Sequence, residues 1–569
     1  MIRSAALATK STPRARRDMV VAAHALGAEV GASILERGGN AIDAAVATAF
    51  AMTVVEPFMS SIAGGGTMLI HLAKRGETVA LDFNVQAPAA CHETVYPLAD
   101  GVGSDLFPWR KVADDANIFG HRSVAVPGSV AGLSLALERY GTMDLLDVMA
   151  PAIALARDGF VPDWYHALTM AVHAEELAAF SETARTHLRS GHYIHRPPTL
   201  ADGDRVQQLD LARSLELLAK DGPRAFYAGA IGQAICAEMT AHGGFVTAAD
   251  LAAYQVRILA PLVGRYRDLE VHFSPGATGG ITALQILNIL SAFPSEQVGC
   301  DSARGLHLRA EAVRYSFQDR LTWLGDPERV EAPWDALASP EYGAAVGAGL
   351  RPRGPRSTKP APNPWLVPTK GRRARPPAGS AGTGGDCTTH IGTVDRHRNL
   401  VSLTHTAVSL FGSRVVVPGT GILLSNGMLW FDPEPGKPNS IAPGKRALVN
   451  MVPVLAFRRS EPYLTLGAPG GRKIISAIPQ VLSSLADMRL GPQAAIDAPR
   501  LHTEGGDLWV DDRVGAKALA ALAKMGHPVV PKHEDISTLF FARPVAIRVT
   551  REGLEAGLDA LRAAAAAGH

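Results

Sequence analysis

A chain of 569 residues, 47% hydrophobic and 19% charged, is long enough for more than one domain-sized core and too apolar for global disorder. Its net charge of +2 argues against a surface built for polyanions, so no nucleic-acid partner is expected. Four cysteines (Cys91, Cys236, Cys300 and Cys387) show neither C-x-x-C pairing nor metal-ligand spacing, and none of the 19 histidines stands in H-E-x-x-H. No metal or cofactor is therefore expected. Residues 1–17 are basic but lack the apolar run of a signal peptide, and the apolar stretch 41–55 falls short of the ~20 residues of a membrane span. The expectation is a cytoplasmic protein without membrane association.

In chain order, residues 19–36 repeat Ala, Leu and Val at near-helical spacing as far as Gly38-Gly39. Asn40 can cap a second helix over 41–53, which Pro57 ends. A glycine-rich loop, 60–66, then feeds strands over 67–73 and 78–83. The loop lacks the Lys-Ser/Thr of a P-loop and precedes a strand rather than a helix, so a phosphate cradle is set aside. A helix is expected over 130–140, and helical patterns dominate to about 330, including 281–293 and a long mixed-charge helix over 306–323. Residues 351–380 hold eight Lys/Arg, eight Pro and no acid. That composition buries too little to offset its ordering entropy and reads as a disordered basic linker, 351–385.

Just beyond this linker lies Cys387-Thr388-Thr389-His390, with strand-like runs over 389–394 and 400–406. Paired threonines suit any pleated strand. At the end of a disordered arm they also suit a self-cleaving hydrolase, in which a freed N-terminal threonine supplies nucleophile and base together. The scissile bond would be Cys387–Thr388. Shorter strands follow over 421–424, 452–458 and 464–466, then a turn, Gly467-Ala468-Pro469-Gly470-Gly471, and a helix over 473–485. Helix-rich material, a linker, then strands with closing helices fit an α+β fold, a four-layer αββα sandwich built from both halves of the chain.

With these pieces placed, the chain resembles the γ-glutamyltransferase family of N-terminal-nucleophile hydrolases over nearly its whole length. The matching stretches include Gly38-Gly39-Asn40-Ala41-Ile42-Asp43-Ala44-Ala45, Val55-Glu56-Pro57 with Gly64-Gly65-Gly66, Val126-Pro127-Gly128, and Thr388-Thr389-His390. Phe411-Gly412-Ser413, Gly421-Ile422-Leu423-Leu424, Pro443-Gly444-Lys445-Arg446 and Pro469-Gly470-Gly471 follow in the family's order. The resemblance implies autocleavage into a large subunit, 1–387, and a small subunit, 388–569, that stay together. It implies Thr388 as nucleophile, Thr406 as the hydroxyl that orients it, and the N–H groups of Gly470 and Gly471 as the oxyanion hole. Those glycines also suit a plain strand-to-helix turn.

The departures concern substrate. Where transferases of this family place an Arg for the donor's α-carboxylate, this chain has Asn84; a donor-contacting Asn becomes Val408. The acid that meets the α-amino group becomes Trp430, a Ser-Ser pair becomes Val449-Asn450, and no lid tyrosine occurs in 431–446. Asn84 cannot replace a bidentate Arg. The resemblance thus implies a small acyl amide as substrate, with γ-glutamyl preference relaxed or lost, as in glutaryl- or cephalosporin-acylase-like members. An ordinary glutathione hydrolase with another clamp, using Arg414 and Arg472, is the alternative, and an unprocessed scaffold is a third reading.

Overall fold

The computed structural model describes residues 8–103, 107, 109–367 and 387–569. Two seven-stranded antiparallel sheets form its centre. The front sheet runs Ala565–Gly568, Met19–Ala22, Thr389–Val394, Leu400–Thr406, Gly65–Leu72, Glu77–Phe83 and Arg257–Leu259. The rear sheet runs Arg14–Ala15, Leu554–Leu558, Val545–Val549, Glu461–Gly467, Val454–Arg458, Leu269–Phe273 and Leu262–Tyr266.

Strand alternation sorts the side chains into three cores. Val20, Ala22, Met68, Ile70, Ile391, Val401 and Leu403 point outward and pack under the helices Ala25–Glu36 and Ala41–Val55. Their sequence neighbours Met19, Val21, Leu69 and Leu400 point inward and meet Leu455, Phe457, Val545 and Ile547 of the rear sheet. The rear sheet's other face, with Val454, Ala456, Leu464 and Leu466, lies under the helices Gly280–Ser291, Ala303–Trp323 and Arg472–Ala486. This is the expected four-layer αββα sandwich. Its period-2 division of apolar residues is what two buried sheet faces demand.

Several boundaries differ from expectation. Residues 19–36 are not one helix: Met19–Ala22 is a strand, and the helix begins at Ala25 with His24 Nδ1 accepting from Leu26 N–H. Val20-Val21 fits a strand buried on both faces, which helical spacing alone conceals. The expected all-helical stretch before 330 contains the three strands at 257–273. The first part of the expected linker is docked on the surface, although most of its residues keep contact with solvent. Ser357 N–H donates to Glu311, Tyr315 O–H to Lys359 O and Tyr342 O–H to Pro362 O, while Trp365 packs edge-on to Trp323. Partners on the helices Ala303–Trp323 and Pro340–Ala348 order 351–367, and local composition says nothing of them. The rest of the expected linker lies outside the described residues. The helix over 41–53 extends to Val55 and begins with a capping box between Asn40 and Asp43.

Candidate active site

The hairpin of Thr389–Val394 and Leu400–Thr406 pairs Thr389 with His405. One step beyond, that register sets Thr388 opposite Thr406. Both hydroxyls converge on one carbonyl. Thr388 O–H donates to Cys387 O, and Thr406 O–H donates to the same oxygen at 2.9 Å. The two hydroxyl oxygens are 3.4 Å apart, and Thr406 Oγ1 accepts from Val408 N–H at 2.9 Å. Thr388 is 4% exposed and Thr406 fully buried, so these bonds form away from bulk water. The hairpin turn ties the halves of the chain together: Asp395 accepts from Ala41 N–H at the start of the helix Ala41–Val55.

The rear sheet runs toward the same end. A side chain on Gly392 would meet Thr465, and one on Gly467 would meet the His390 ring. Stepping back along the front strand therefore steps forward along the rear strand, whose end leads into the Pro469-Gly470-Gly471 turn. Gly470 and Gly471 are buried, with φ of +130° and +53°, and a Cβ on Gly470 would lie 2.6 Å from Ala542 Cα. Only glycine adopts this turn without strain. It opens the helix Arg472–Ala486.

His390 is fully buried in the strand Thr389–Val394. Burial pushes it down to about 3, and its ring nitrogens lie 3.0 Å from Thr404 Oγ1 and 3.4 Å from Ser402 Oγ. Sequence reading gave no role to Glu56, although Val55-Glu56-Pro57 was among the matching stretches. Glu56 is fully buried at the end of the helix Ala41–Val55, and Thr389 Oγ1 reaches it at 3.5 Å. Desolvation pushes its carboxyl up to about 8, against the opposing pull of Arg562.

The residues expected to recognise substrate gather around one apolar cluster. Val408 and Trp430, both buried, share it with Val85, Phe107, Ile118, Ala125, Met428, Phe431 and Val449. Asn84 stands beside it with its amide engaged: Nδ2 donates to Ala447 O and Oδ1 accepts from Val85 N–H. Val408 has φ +87°, a region that costs a β-branched residue about 1–3 kcal/mol. Asn450 Oδ1 accepts from Arg320, whereas its buried Nδ2 meets no partner among the described residues. Arg320 itself went unnoticed in the sequence. Fully buried, it is pushed down to about 9 by desolvation and also donates to Thr278 O and Val449 O. Its only signal was a basic residue on the inner face of a long helix.

The two arginines considered as replacement clamps are engaged. Arg414 binds Glu176 at 2.6 Å and also Ser409 and Gly412 O; Arg472 binds Glu504 at 2.6 Å. The segment after Trp430 is tied down without a tyrosine, by Asn439 bridging Trp430 O and Leu448 N–H and by Lys445 Nζ on Pro438 O and Ser440 O.

Residues 27–569 match the family model described as Gamma-glutamyltranspeptidase. The Acylase ACY 1 proenzyme of Pseudomonas sp. (strain SE83) is 38% identical over 516 residues, covering 90% of this chain and 87% of the relative. The glutathione hydrolase proenzyme of Escherichia coli (strain K12) is 35% identical over 512 residues, 88% of this chain and 83% of the relative. Among solved structures, cephalosporin acylase from Bacillus halodurans superposes with a TM-score of 0.84 at 25% identity, covering 100% of this chain and 98% of the other.

Proposed function

The chain belongs to the gamma-glutamyltranspeptidase family of N-terminal-nucleophile enzymes, and from that premise we propose a self-processing amidohydrolase or acyltransferase that works through a Thr388 acyl-enzyme. The observation that carries the reading is the convergence of the Thr388 and Thr406 hydroxyls on the Cys387 carbonyl.

In the processing reaction Thr388 Oγ adds to the Cys387 carbonyl carbon. The C–N bond breaks, an ester joins Cys387 to Thr388 Oγ, and the released α-amino group takes up the proton. Water then hydrolyses the ester and separates residues 1–387 from 388–569. Thr406, oriented by Val408 N–H, stabilises the oxyanion of the first step. The fragments stay one body, because strands of both are hydrogen-bonded within the front sheet, where Met19–Ala22 of the large fragment lies between Ala565–Gly568 and Thr389–Val394 of the small one. In turnover the Thr388 α-amino group accepts the hydroxyl proton, Oγ attacks the substrate amide, and the oxyanion rests on Gly470 and Gly471 N–H. The amine leaves with a proton, and water or an acceptor amine resolves the acyl ester. Neither reaction needs a cofactor. Among the described residues no helix is long and apolar enough to cross a membrane.

We assign the substrate to small acyl amides without an α-amino group, of glutaryl or cephalosporin-acylase type. Trp430 stands in an apolar cluster where an acid would have to meet an α-ammonium, and Asn84 spends its amide on the backbone. Burying two charges there without partners would be costly. Asn450 Nδ2 is a donor for the polar end of such an acyl group. The second reading, a glutathione hydrolase, draws on the 35% identical relative from Escherichia coli. The test is p-nitroaniline release from glutaryl and γ-glutamyl anilides, with Thr388→Ala as the blank. Faster glutaryl turnover is expected; equal or faster γ-glutamyl turnover would overturn the acylase assignment in favour of the second reading.

A further inference from the structure

We propose that His121, Glu238 and His242 form a zinc-binding site on the flank of the molecule, one that spacing along the chain conceals. His121 lies in the turn His121–Ser123, and Glu238 is 117 residues away in the helix Ala230–Ala241. His242 follows Glu238 by one helical turn and caps that helix. The fold brings one ligand atom from each within 4.8 Å of the others.

His121 Nε2 hydrogen-bonds Glu238 Oε1 at 2.7 Å, and His242 Nε2 lies 3.4 Å from the same oxygen. The two ring centroids are 4.4 Å apart with 19° between their planes, so zinc would replace the His121–Glu238 hydrogen bond and turn the rings toward a shared point. A tetrahedral zinc ion with bonds of roughly 2.0–2.2 Å holds neighbouring ligand atoms about 3.3 Å apart. The His242–Glu238 distance already fits, and the His121–Glu238 distance has to open by about 0.6 Å, which a small rotation of the half-buried carboxylate achieves. Two imidazoles and one carboxylate are a donor set zinc takes readily, with water in the fourth place. The site is accessible: the side chains of His121 and Glu238 are 15% and 16% exposed and that of His242 is 54% exposed.

A metal here would join the helix Ala230–Ala241 to the segment 113–126. That segment gives Ile118 and Ala125 to the apolar cluster around Trp430 and Val408. Gly120 N–H donates to Ser413 O, and Ile118 O accepts from Asn426 Nδ2, both in the chain that follows Thr406. The site thus braces the outer wall of the substrate cluster and does not touch Thr388.

The experiment is calorimetric titration of the EDTA-stripped, dialysed full-length protein with zinc chloride, beside thermal unfolding with and without zinc. One saturable site and a raised unfolding midpoint are expected. His242→Ala, an exposed position, should weaken binding at least about tenfold, on the scale typical of damage to a metal site, and abolish the thermal shift. Glu238→Gln, which keeps a hydrogen-bond acceptor for His121, should do the same. Anilide turnover of His242→Ala in the absence of zinc should match the parent and serves as the check on folding. No heat of binding, or the same isotherm for the parent and both variants, would overturn the proposal.

Discussion

The strands that carry Thr388 and Thr406 and the loops that carry Asn84, Val408, Trp430 and Asn450 meet at one end of the sandwich, yet different forces hold them. The first region is set by backbone register. Hairpin pairing fixes Thr388 opposite Thr406, and sheet stacking sets Gly467, ahead of the glycine turn, against His390. The second is set by side-chain packing on irregular chain, with Val408 held at positive φ and buried amides answered by single partners. A register tolerates little change, because a one-residue slip turns every side chain to the other face. A packed loop wall can exchange residues while the strands stay in place.

That contrast can be broken from either side. Thr388→Ala should abolish both processing and anilide turnover, leaving a single band near 60 kDa on a denaturing gel. Thr406→Ala removes the hydroxyl on the Cys387 carbonyl, and a processing rate about 10²–10³-fold slower is expected by time-resolved gel analysis, the scale of losing one oxyanion donor. Processing at the parent rate would count against the role given to Thr406. In the loop wall, Val408→Asn should leave processing intact. Asn tolerates positive φ far better than Val, so the unfolding midpoint should rise. Its amide should also increase γ-glutamyl relative to glutaryl turnover several-fold. A fall in both processing and stability would show that the two regions are not separable.

The smallest effect expected concerns pH. Glu56 has its carboxyl raised by burial from 4.5 to about 8. The folded protein therefore holds a proton there that the unfolded chain releases near 4.5. Stability from this group is complete below about pH 4.5 and is lost as the pH rises through about 8. Glu56→Gln should flatten that decline, so that parent and variant diverge most in urea melts at alkaline pH. Parallel pH profiles would show that Glu56 is ionised in the folded state.

The sequence by itself determined the layer order and nominated the chemistry-bearing positions. Thr388-Thr389 ahead of two β-branched runs, the Pro469-Gly470-Gly471 turn and the alternation of helices with strands were legible because each rests on local propensity or on a short motif. Resemblance to the family also nominated Asn84, Val408, Trp430 and Val449-Asn450 as changed recognition positions. Tertiary structure alone decided the rest. It turned Val20-Val21 into an interior strand, because neighbouring strands pair both of its edges while the helix layer and the rear sheet cover its two faces. It docked 351–367 on Glu311, Tyr315 and Tyr342, and it placed Glu56 behind Thr389 and Arg320 behind Asn450. In each case the partner lies far along the chain, and the energy comes from burial and from pairing groups that burial would leave unsatisfied. No local window of sequence contains that information.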